Sequence, residues 1–262
     1  MIRAQRVGKT YLSKDGGSVE TLRDVTLDVR DGEFVAVVGP SGCGKTTLLK
    51  ILTGLIAPDT GQVLVSGDEP RNLQGRIGYM AQADSLLPWR TVTGNVELGL
   101  ELQGVPAGRR RAVAMELVAR MGLEGFERSY PFELSGGMKK RVAIMRTLAY
   151  SPDIIFMDEP FGALDVQTRD MLEDDILNIW DETGKTIVFV THDLSEAITL
   201  ADRVLLMSSR PSAIIGDYPI DLPRPRSTDI RLDHAFNDIL REIWDDLSRE
   251  VRQARGGPHG PQ

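Results

Sequence analysis

The chain has 262 residues, of which 41% are hydrophobic, and it contains one cysteine. This composition can bury a full core, is not that of a chain disordered throughout, and excludes an internal disulfide. The formal net charge of -7 argues against a protein that wraps nucleic acid, and no apolar run approaches the roughly 18 residues that span a bilayer. We therefore expect a cytoplasmic protein that reaches any membrane through a partner chain.

The first thirty residues have the pattern of antiparallel strands. Apolar and polar side chains alternate over residues 25–29, and residues 15–17 (Asp-Gly-Gly) are a turn signal. Residues 33–38 are then nearly continuously apolar, which is typical of a strand buried on both faces. A glycine-rich loop follows, and residues 46–52 have the spacing of a helix.

Two further buried-strand patterns occur at residues 154–158 and 186–191, and a helical pattern between them ends at Gly184. Strand, helix and strand in alternation predict a parallel sheet with crossover helices. In residues 86–150, by contrast, helical periodicity dominates. We therefore predict a helical lobe inserted into an α/β core.

The C-terminal segment is less regular. Prolines are frequent after Arg210, and an amphipathic helical pattern at residues 236–247 precedes a Gly/Pro tail that we expect to be flexible. This segment could pack on the core, contact a partner chain or regulate, and the sequence does not choose among these roles. The predicted organisation is an α/β core with an antiparallel β subdomain at residues 1–85 and 151–215, a helical subdomain at 86–150, and a C-terminal extension at 216–262.

Residues 39–46 fit the phosphate-loop pattern G-x-x-x-x-G-K-[ST] between a predicted strand and a predicted helix. Glycines let backbone N–H groups face the phosphates, Lys45 adds positive charge at the β and γ groups, and the Thr46 hydroxyl can bind Mg²⁺. The alternative is an ordinary glycine turn. The pattern predicts a phosphate-loop NTPase core with ATP and Mg²⁺ as cofactors. The predicted nucleotide-binding residues of the loop are Gly39, Pro40, Ser41, Gly42, Cys43, Gly44, Lys45, Thr46 and Thr47.

Two acids, Asp158 and Glu159, follow a predicted buried strand. The carboxyl ends of parallel strands meet at one edge of the sheet, where open α/β sheets bind ligands. There Asp158 can hold Mg²⁺ through water, and Glu159 can act as the general base toward an attacking water. The alternative is a strand end capped by two solvated charges.

Residues 134–138 (Leu-Ser-Gly-Gly-Met) resemble the signature motif of the ATP-binding cassettes that drive ABC transporters, and the resemblance covers about residues 1–210. Ser135 can cap a helix that begins at Gly136, followed by Gly137, and can direct its hydroxyl, the backbone N–H groups and the positive end of the helix dipole at an anion. The alternative is a plain serine-capped helix with glycines for close packing. In the family, this motif contacts the γ-phosphate bound by the opposite subunit, so the resemblance implies a homodimer.

The resemblance assigns roles to four more side chains. Tyr11 resembles the aromatic residue that stacks on adenine, and Gln82 resembles the glutamine that contacts Mg²⁺ and the attacking water. Asp165, in the sequence Ala163-Leu164-Asp165, resembles the acid of a loop that crosses the dimer interface, although a helix N-cap explains it equally well. His192 resembles the histidine that contacts the γ-phosphate and orients the water. Core packing remains the alternative for Tyr11, a surface position for Gln82, and a structural role for His192.

The stretch Leu86-Leu87-Pro88-Trp89 is similar to importer ATPases of the nitrate, sulfonate and taurine group. In such importers this region faces a membrane permease, so Leu86, Leu87 and Trp89 become candidate docking residues, with core packing as the alternative for Trp89. The resemblance implies location at the cytoplasmic face of a bacterial-type inner membrane and an indirect partner in an extracytoplasmic solute-binding protein. Export, lipid transfer and a soluble cassette ATPase remain alternatives, and the sequence names no cargo. The sequence assigns no role to Lys139 and Lys140, which follow the signature.

Overall fold

The computed structural model describes residues 1–12, 15–73, 75–83, 85–162 and 164–256. The Gly/Pro tail and Ala163 lie outside these residues. The strands are β1 (Ile2–Leu12), β2 (Ser18–Val29), β3 (Phe34–Val38), β4 (Thr60–Val65), β5 (Ile77–Met80), β6 (Ile154–Asp158), β7 (Thr186–Val190), β8 (Arg203–Met207) and β9 (Ile214–Pro219). The helices are α1 (Lys45–Leu52), α2 (Val92–Val96), α3 (Leu98–Leu102), α4 (Ala107–Arg120), α5 (Gly136–Ala149), α6 (Val166–Thr183), α7 (Leu194–Leu200) and α8 (His234–Gly256).

A six-stranded sheet with the order β5-β6-β7-β3-β8-β9 forms the centre of the fold. Every residue of β3, β6 and β7 is buried, because helices or a second sheet cover both faces, and this confirms the three predicted buried strands. Adjacent strands from β5 to β8 are parallel. The loops after β3, β6 and β7 therefore emerge at the same edge, as the sequence predicted.

The predicted antiparallel strands near the N-terminus form a separate sheet with the order β2-β1-β4. This sheet and α1 share one hydrophobic cluster on one face of the central sheet, where Val35 and Val37 contribute from β3. The other face is covered by the remaining helices, and Phe34, Ala36 and Val38 point into that cluster. The alternation along β3 thus divides the core into two layers.

Helices α2 to α5 lie between β5 and β6 in the chain, as the helical periodicity predicted. Thr91 begins α2 by accepting a hydrogen bond from the Gly94 N–H over 3.2 Å. Asn95, which is fully buried, donates to the carbonyls of Leu87 and Arg90 and fixes the chain before the helix. Within the described residues, no helix is both long and apolar enough to span a membrane.

The C-terminal segment packs on the core. β9 extends the central sheet as an antiparallel edge strand beside β8, across the boundary that we predicted at residue 215. Arg226 is almost fully buried and donates to four main-chain carbonyls, those of Ile198, Ala201, Ile220 and Leu222. Helix α8 then contacts α7 and contains the predicted amphipathic pattern, with Phe236 and Ile243 in the core.

Candidate active site

The phosphate loop connects β3 to α1, as the sequence predicted. At two positions of the loop, neighbouring atoms leave no room for a side chain, so glycine is required. A Cβ at Gly39 would lie 2.9 Å from the Met207 carbonyl oxygen, and a Cβ at Gly44 would lie 2.8 Å from Thr21 Cγ2. Gly44 also has a φ of +125°, which disfavours any residue with a side chain. The loop therefore fits tightly between the end of β8 and the N-terminal sheet.

Lys45 lies inside this loop and is 5% exposed. Its Nζ donates hydrogen bonds to the carbonyls of Gly39 over 2.8 Å and Pro40 over 3.2 Å. A buried ammonium group is costly unless it is hydrogen-bonded, and these carbonyls satisfy that need. The side chain thus places its ammonium group inside the loop, against the carbonyls of Gly39 and Pro40.

Thr46 and Asp158 connect the loop to the end of β6. The Thr46 hydroxyl donates to Asp158 Oδ1 over 3.0 Å, and Tyr79 Oη lies 3.5 Å from Asp158 Oδ2. Burial raises the pKa of Asp158, although the Thr46 hydrogen bond opposes the shift. Burial and the nearby Asp158 charge raise the pKa of Tyr79 to about 12. A buried carboxylate beside a hydroxyl is the hard oxygen donor set that Mg²⁺ prefers, so these two residues fit the ion.

Glu159 lies between two predicted catalytic side chains. Gln82 Nε2 donates to Glu159 Oε2 over 3.0 Å, and His192 Nδ1 lies 3.5 Å from Glu159 Oε1. The Glu159 N–H donates to the Val190 carbonyl over 2.9 Å, which fixes the residue against the end of β7. Its φ of +45° is unusual for a residue with a side chain, and such strain is concentrated at functional sites. The structure therefore brings Gln82, Glu159 and His192 into one cluster.

Three predicted residues lie apart from this cluster. Ser135 caps α5 by accepting from the Met138 N–H over 3.3 Å, and Asp165 caps α6 by accepting from the Thr168 N–H over 3.0 Å. Tyr11 is 42% exposed at the end of β1, so it is not a core residue. Among the described residues, none of these three side chains hydrogen-bonds to Gln82, Glu159 or His192.

Comparison with known proteins decides the family. The family described as "ABC transporter" matches residues 22–162, which include the phosphate loop, Gln82, the Ser135 helix and Glu159. The chain belongs to the ABC transporter ATP-binding family. It is therefore a cassette ATPase coupled to transport, and it binds ATP.

Relatives of this cassette span nearly its whole length. An uncharacterized ABC transporter ATP-binding protein of Methanocaldococcus jannaschii is 47% identical over 90% of this chain and 88% of its own. The taurine import ATP-binding protein TauB of Rhizobium johnstonii is 40% identical over 86% of each chain. An aliphatic sulfonates import ATP-binding protein SsuB of Bacillus cereus is 39% identical over 91% of this chain and 93% of its own.

A solved structure has the same fold as this cassette. It is a dimeric post-hydrolysis state of an ATP-binding cassette bound to ADP and Pi, and it aligns with a TM-score of 0.76 and 32% identity. The alignment covers 85% of this chain and all of the other. The likeness confirms the predicted α/β fold with a parallel sheet, an antiparallel sheet and a helical region.

The structure places two further residues of the cassette beside its site: Tyr79, which the sequence did not indicate, and Lys140, to which the sequence assigned no role. Tyr79 contacts Asp158, and the apolar pattern of its short strand gave no sign of this. Lys140 is 6% exposed, and its Nζ donates to the Gln82 carbonyl over 2.6 Å. The position of Lys140 in the apolar stripe of a predicted helix could have indicated this contact, since buried lysines require a polar partner.

Proposed function

We propose that this cassette powers an ABC importer for a small anion, working as a homodimer beneath a membrane permease at the cytoplasmic face of the membrane. The observation that carries the hydrolytic part of the proposal is the contact of Glu159 with both Gln82 and His192, one residue beyond the carboxylate that contacts Thr46. This arrangement holds a candidate base, two orienting side chains and a phosphate-binding loop at one edge of the sheet. It fits hydrolysis of a nucleoside triphosphate.

Each side chain then has one chemical task. Lys45 and the loop amides bind the β and γ phosphates, and Glu159 accepts a proton from the attacking water. Gln82 and His192 orient that water. Thr46, Asp158 and Gln82 would hold Mg²⁺, which when bound neutralises developing phosphate charge.

Tyr11 would complete the nucleotide site at the adenine. Its exposed ring lies near the end of β1, and Lys9 Nζ lies 5.9 Å from the ring centroid. A flat ring can stack on adenine with little requirement for its hydrogen-bonding edge. The other chemistry of the site is at the phosphates, so stacking would contribute affinity and not catalysis.

A second copy of the chain would supply the remaining groups. Ser135 and Asp165 are exposed helix caps, so both are accessible to another molecule. The N-terminal end of α5 has free N–H groups and a positive dipole end, which attract an anion such as a γ-phosphate. Gly136 is exposed and leaves room beside the first turn, whereas Gly137 packs against α6, since a Cβ there would overlap Thr168 Cγ2. We therefore place the signature of one copy against the phosphate loop of the other.

The permease would dock beside the helical subdomain at residues 86–150. Trp89 is 71% exposed, which is the state expected of a docking side chain and not of a core residue. Leu86 and Leu87 are half-buried next to it. A groove of about 620 Å³ runs between β5 and the helices and is lined in part by Leu98, Leu102 and Tyr150. A groove with apolar lining residues, bordered by α3 and α5 of the subdomain that also exposes Trp89, suits a short amphipathic helix of a partner.

Import of a small anion is favoured by the relatives, since the taurine and sulfonate importers are 40% and 39% identical to this chain. The partners would then include an extracytoplasmic solute-binding protein that selects the solute. Taurine, sulfonates and nitrate are the leading candidates. Export, lipid transfer and a role without a permease are the competing functions.

The hydrolytic mechanism is tested by Glu159→Gln. We expect this variant to bind ATP as the wild type does and to lose at least about 100-fold in turnover, because general-base catalysis contributes about that much. Glu124→Gln, a change at an exposed glutamate, is the matched control. Turnover by Glu159→Gln at the wild-type rate would exclude Glu159 as the base.

The dimer is tested in the Glu159→Gln background, where ATP is retained. Light scattering with ATP and Mg²⁺ should give twice the monomer mass, and adding Ser135→Arg should return the monomer, because a large side chain would block the signature helix. A Glu159→Gln protein that binds ATP and stays monomeric would exclude the closed homodimer.

The transport assignment is tested on the complex purified from membranes. A permease should co-purify with the wild type and with Trp244→Ala, a change at an exposed tryptophan of α8, but not with Trp89→Ala. Thermal shifts of the accompanying solute-binding protein with taurine, alkanesulfonates and nitrate would then name the solute. Co-purification with ribosomes or DNA in place of a membrane protein would exclude the importer.

A further inference from the structure

A short loop between β8 and β9, residues 208–213, lies against the outer side of the phosphate loop. The Ser208 N–H donates to the Ala213 carbonyl over 2.9 Å, and the Ala213 N–H donates to Ser208 Oγ over 3.0 Å. These two bonds close the loop on itself. We call it the β8–β9 loop.

Ser212 in this loop is fully buried and uses each of its polar groups. Its hydroxyl donates to the Cys43 carbonyl. Its N–H donates to the Thr21 carbonyl over 3.0 Å, and its carbonyl accepts from the Arg23 N–H over 3.0 Å. Ser212 therefore joins the phosphate loop to the N-terminal sheet.

Arg210 makes the neighbouring contact. Its Nε donates to the Gly42 carbonyl, and a Cβ at Gly42 would lie 3.5 Å from Arg210 Nη2. Gly42 has a φ of +72°. The arginine is exposed, so it reaches the phosphate loop across the surface.

The directions of the Cys43 and Gly42 carbonyls determine the directions of the backbone N–H groups that follow them. In a trans peptide the C=O and the next N–H point in opposite directions. A hydrogen bond from Ser212 to the Cys43 carbonyl therefore turns the Gly44 N–H away from the β8–β9 loop. Lys45 already holds the carbonyls of Gly39 and Pro40. A carbonyl that turned toward a bound phosphate would repel it, so each of these bonds favours an anion-binding loop. The amide that follows Gly42, the Cys43 N–H, donates to the Pro40 carbonyl over 3.2 Å, so Arg210 acts through the Gly42 carbonyl and the shape of the loop.

The C-terminal helix supports the β8–β9 loop. The Ser209 N–H donates to Glu250 Oε1 of α8 over 2.8 Å. Ser209 directly precedes Arg210, so the two hydrogen bonds hold adjacent residues of the loop. The C-terminal segment, which had no assigned role in the sequence, thus supports a loop that contacts the phosphate loop through Arg210 and Ser212.

We propose that Ser212 and Arg210 are positioning residues for nucleotide binding, which hold the carbonyls of Cys43 and Gly42 away from the bound phosphates and, through Ser212, turn the Gly44 N–H away from the β8–β9 loop. The proposal rests on the assignment of the phosphate loop under Proposed function. The β8–β9 loop and α8 would then support the phosphate loop from outside the G-x-x-x-x-G-K-[ST] motif. The proposal predicts that the two residues act on nucleotide affinity and not on the chemical step.

The test measures the Kd for ADP by titration and the ATPase constants of the full chain. Ser212→Ala should weaken ADP binding about 10-fold, which corresponds to about 1.4 kcal/mol, the scale of one hydrogen bond. The KM for ATP should rise similarly while kcat changes less than about twofold. An unchanged Kd and KM in a folded Ser212→Ala protein would overturn the proposal for Ser212.

Arg210 gives a second series, since exposed side chains are replaced without loss of the fold. Arg210→Ala should weaken ADP binding about fivefold, and Arg210→Lys, which keeps a donor, should restore part of the affinity. Arg241→Ala, at an exposed arginine of α8, is the matched control. If the defect of Arg210→Ala disappears at high salt, the arginine acts by charge alone and its positioning role is wrong.

Lys45→Ala separates this inference from the proposed site. If Lys45→Ala binds ADP normally, the assignment of the phosphate loop fails. If Lys45→Ala loses binding and the Ser212 and Arg210 variants keep it, only the inference fails.

Discussion

Lys140, in the second turn of α5, donates from Nζ to the Gln82 carbonyl over 2.6 Å. Arg146 of the same helix donates to the Ser85 carbonyl over 2.7 Å. Gln82 in turn donates from its side chain to Glu159. The helix that begins at the Ser135 signature is therefore connected to the candidate base through the chain at residue 82.

Lys140→Met should weaken this connection. A hydrogen bond from a charged group contributes about 1.5–3 kcal/mol, so we expect a Tm lower by about 3–6 °C and ATPase turnover lower by about fivefold. Thermal unfolding and steady-state ATPase assays measure the two effects. Lys139→Met, at the half-buried neighbour, is the control. Equal turnover in the two variants would mean that Lys140 does not position Gln82.

Asp158→Asn should remove the effect of Mg²⁺ on nucleotide binding, because the buried carboxylate beside Thr46 supplies the negative charge of the predicted metal site. Titrating ATP at increasing Mg²⁺ measures this effect. We expect a rise in affinity for the wild type and a nearly flat response for the variant. Asp153→Asn, at an exposed acid just before the same strand, should respond as the wild type does. A Mg²⁺ response retained by Asp158→Asn would contradict the assignment.

Glu173 should make stability depend on pH. It is fully buried in α6, and burial raises its pKa to about 7 even though Arg231 opposes the shift. Because the folded-state pKa is above the ordinary value of 4.5, the carboxyl's contribution is complete below that value and is lost as pH rises through about 7.

Glu173→Gln should flatten this dependence. Urea unfolding from about pH 5 to about pH 8 should show a slope smaller by up to about 1.4 kcal/mol per pH unit, the value for one proton. Glu182→Gln, at an exposed glutamate of the same helix, should keep the wild-type slope. Identical slopes in all three proteins would mean that Glu173 is ionised in the folded state at neutral pH.

Cys43 should be unreactive in the folded protein. The thiol is 2% exposed, and burial raises its pKa, so little thiolate forms and reagents have little access. Since Cys43 is the single cysteine of the sequence, thiol titration reports this site alone. We expect labelling at least about 100-fold faster in denaturant than in buffer. Fast labelling of the native protein would indicate that the phosphate loop opens readily.

The local features of this cassette could be predicted from the order of its residues. The buried strands at β3, β6 and β7 were visible because a strand covered on both faces is apolar throughout. The phosphate loop was visible because its geometry requires glycine at fixed spacing, as Gly39 and Gly44 demonstrate. Gln82 and His192 were found through resemblance, since a lone glutamine or histidine carries no local signal.

Which of these features come into contact depends on the three-dimensional fold. Gln82, Glu159 and His192 come from three strand ends that are adjacent only because β5, β6 and β7 are neighbours in the sheet. The edge strand β9, the Lys140 contact and the Ser212 contact were not predicted. β9 is only half-buried and ends at Pro219, so its hydrophobic pattern is weak. The Lys140 and Ser212 contacts each join residues more than 50 positions apart in the sequence. Residue patterns report burial and turn geometry along the chain, whereas such contacts depend on the order of strands in space.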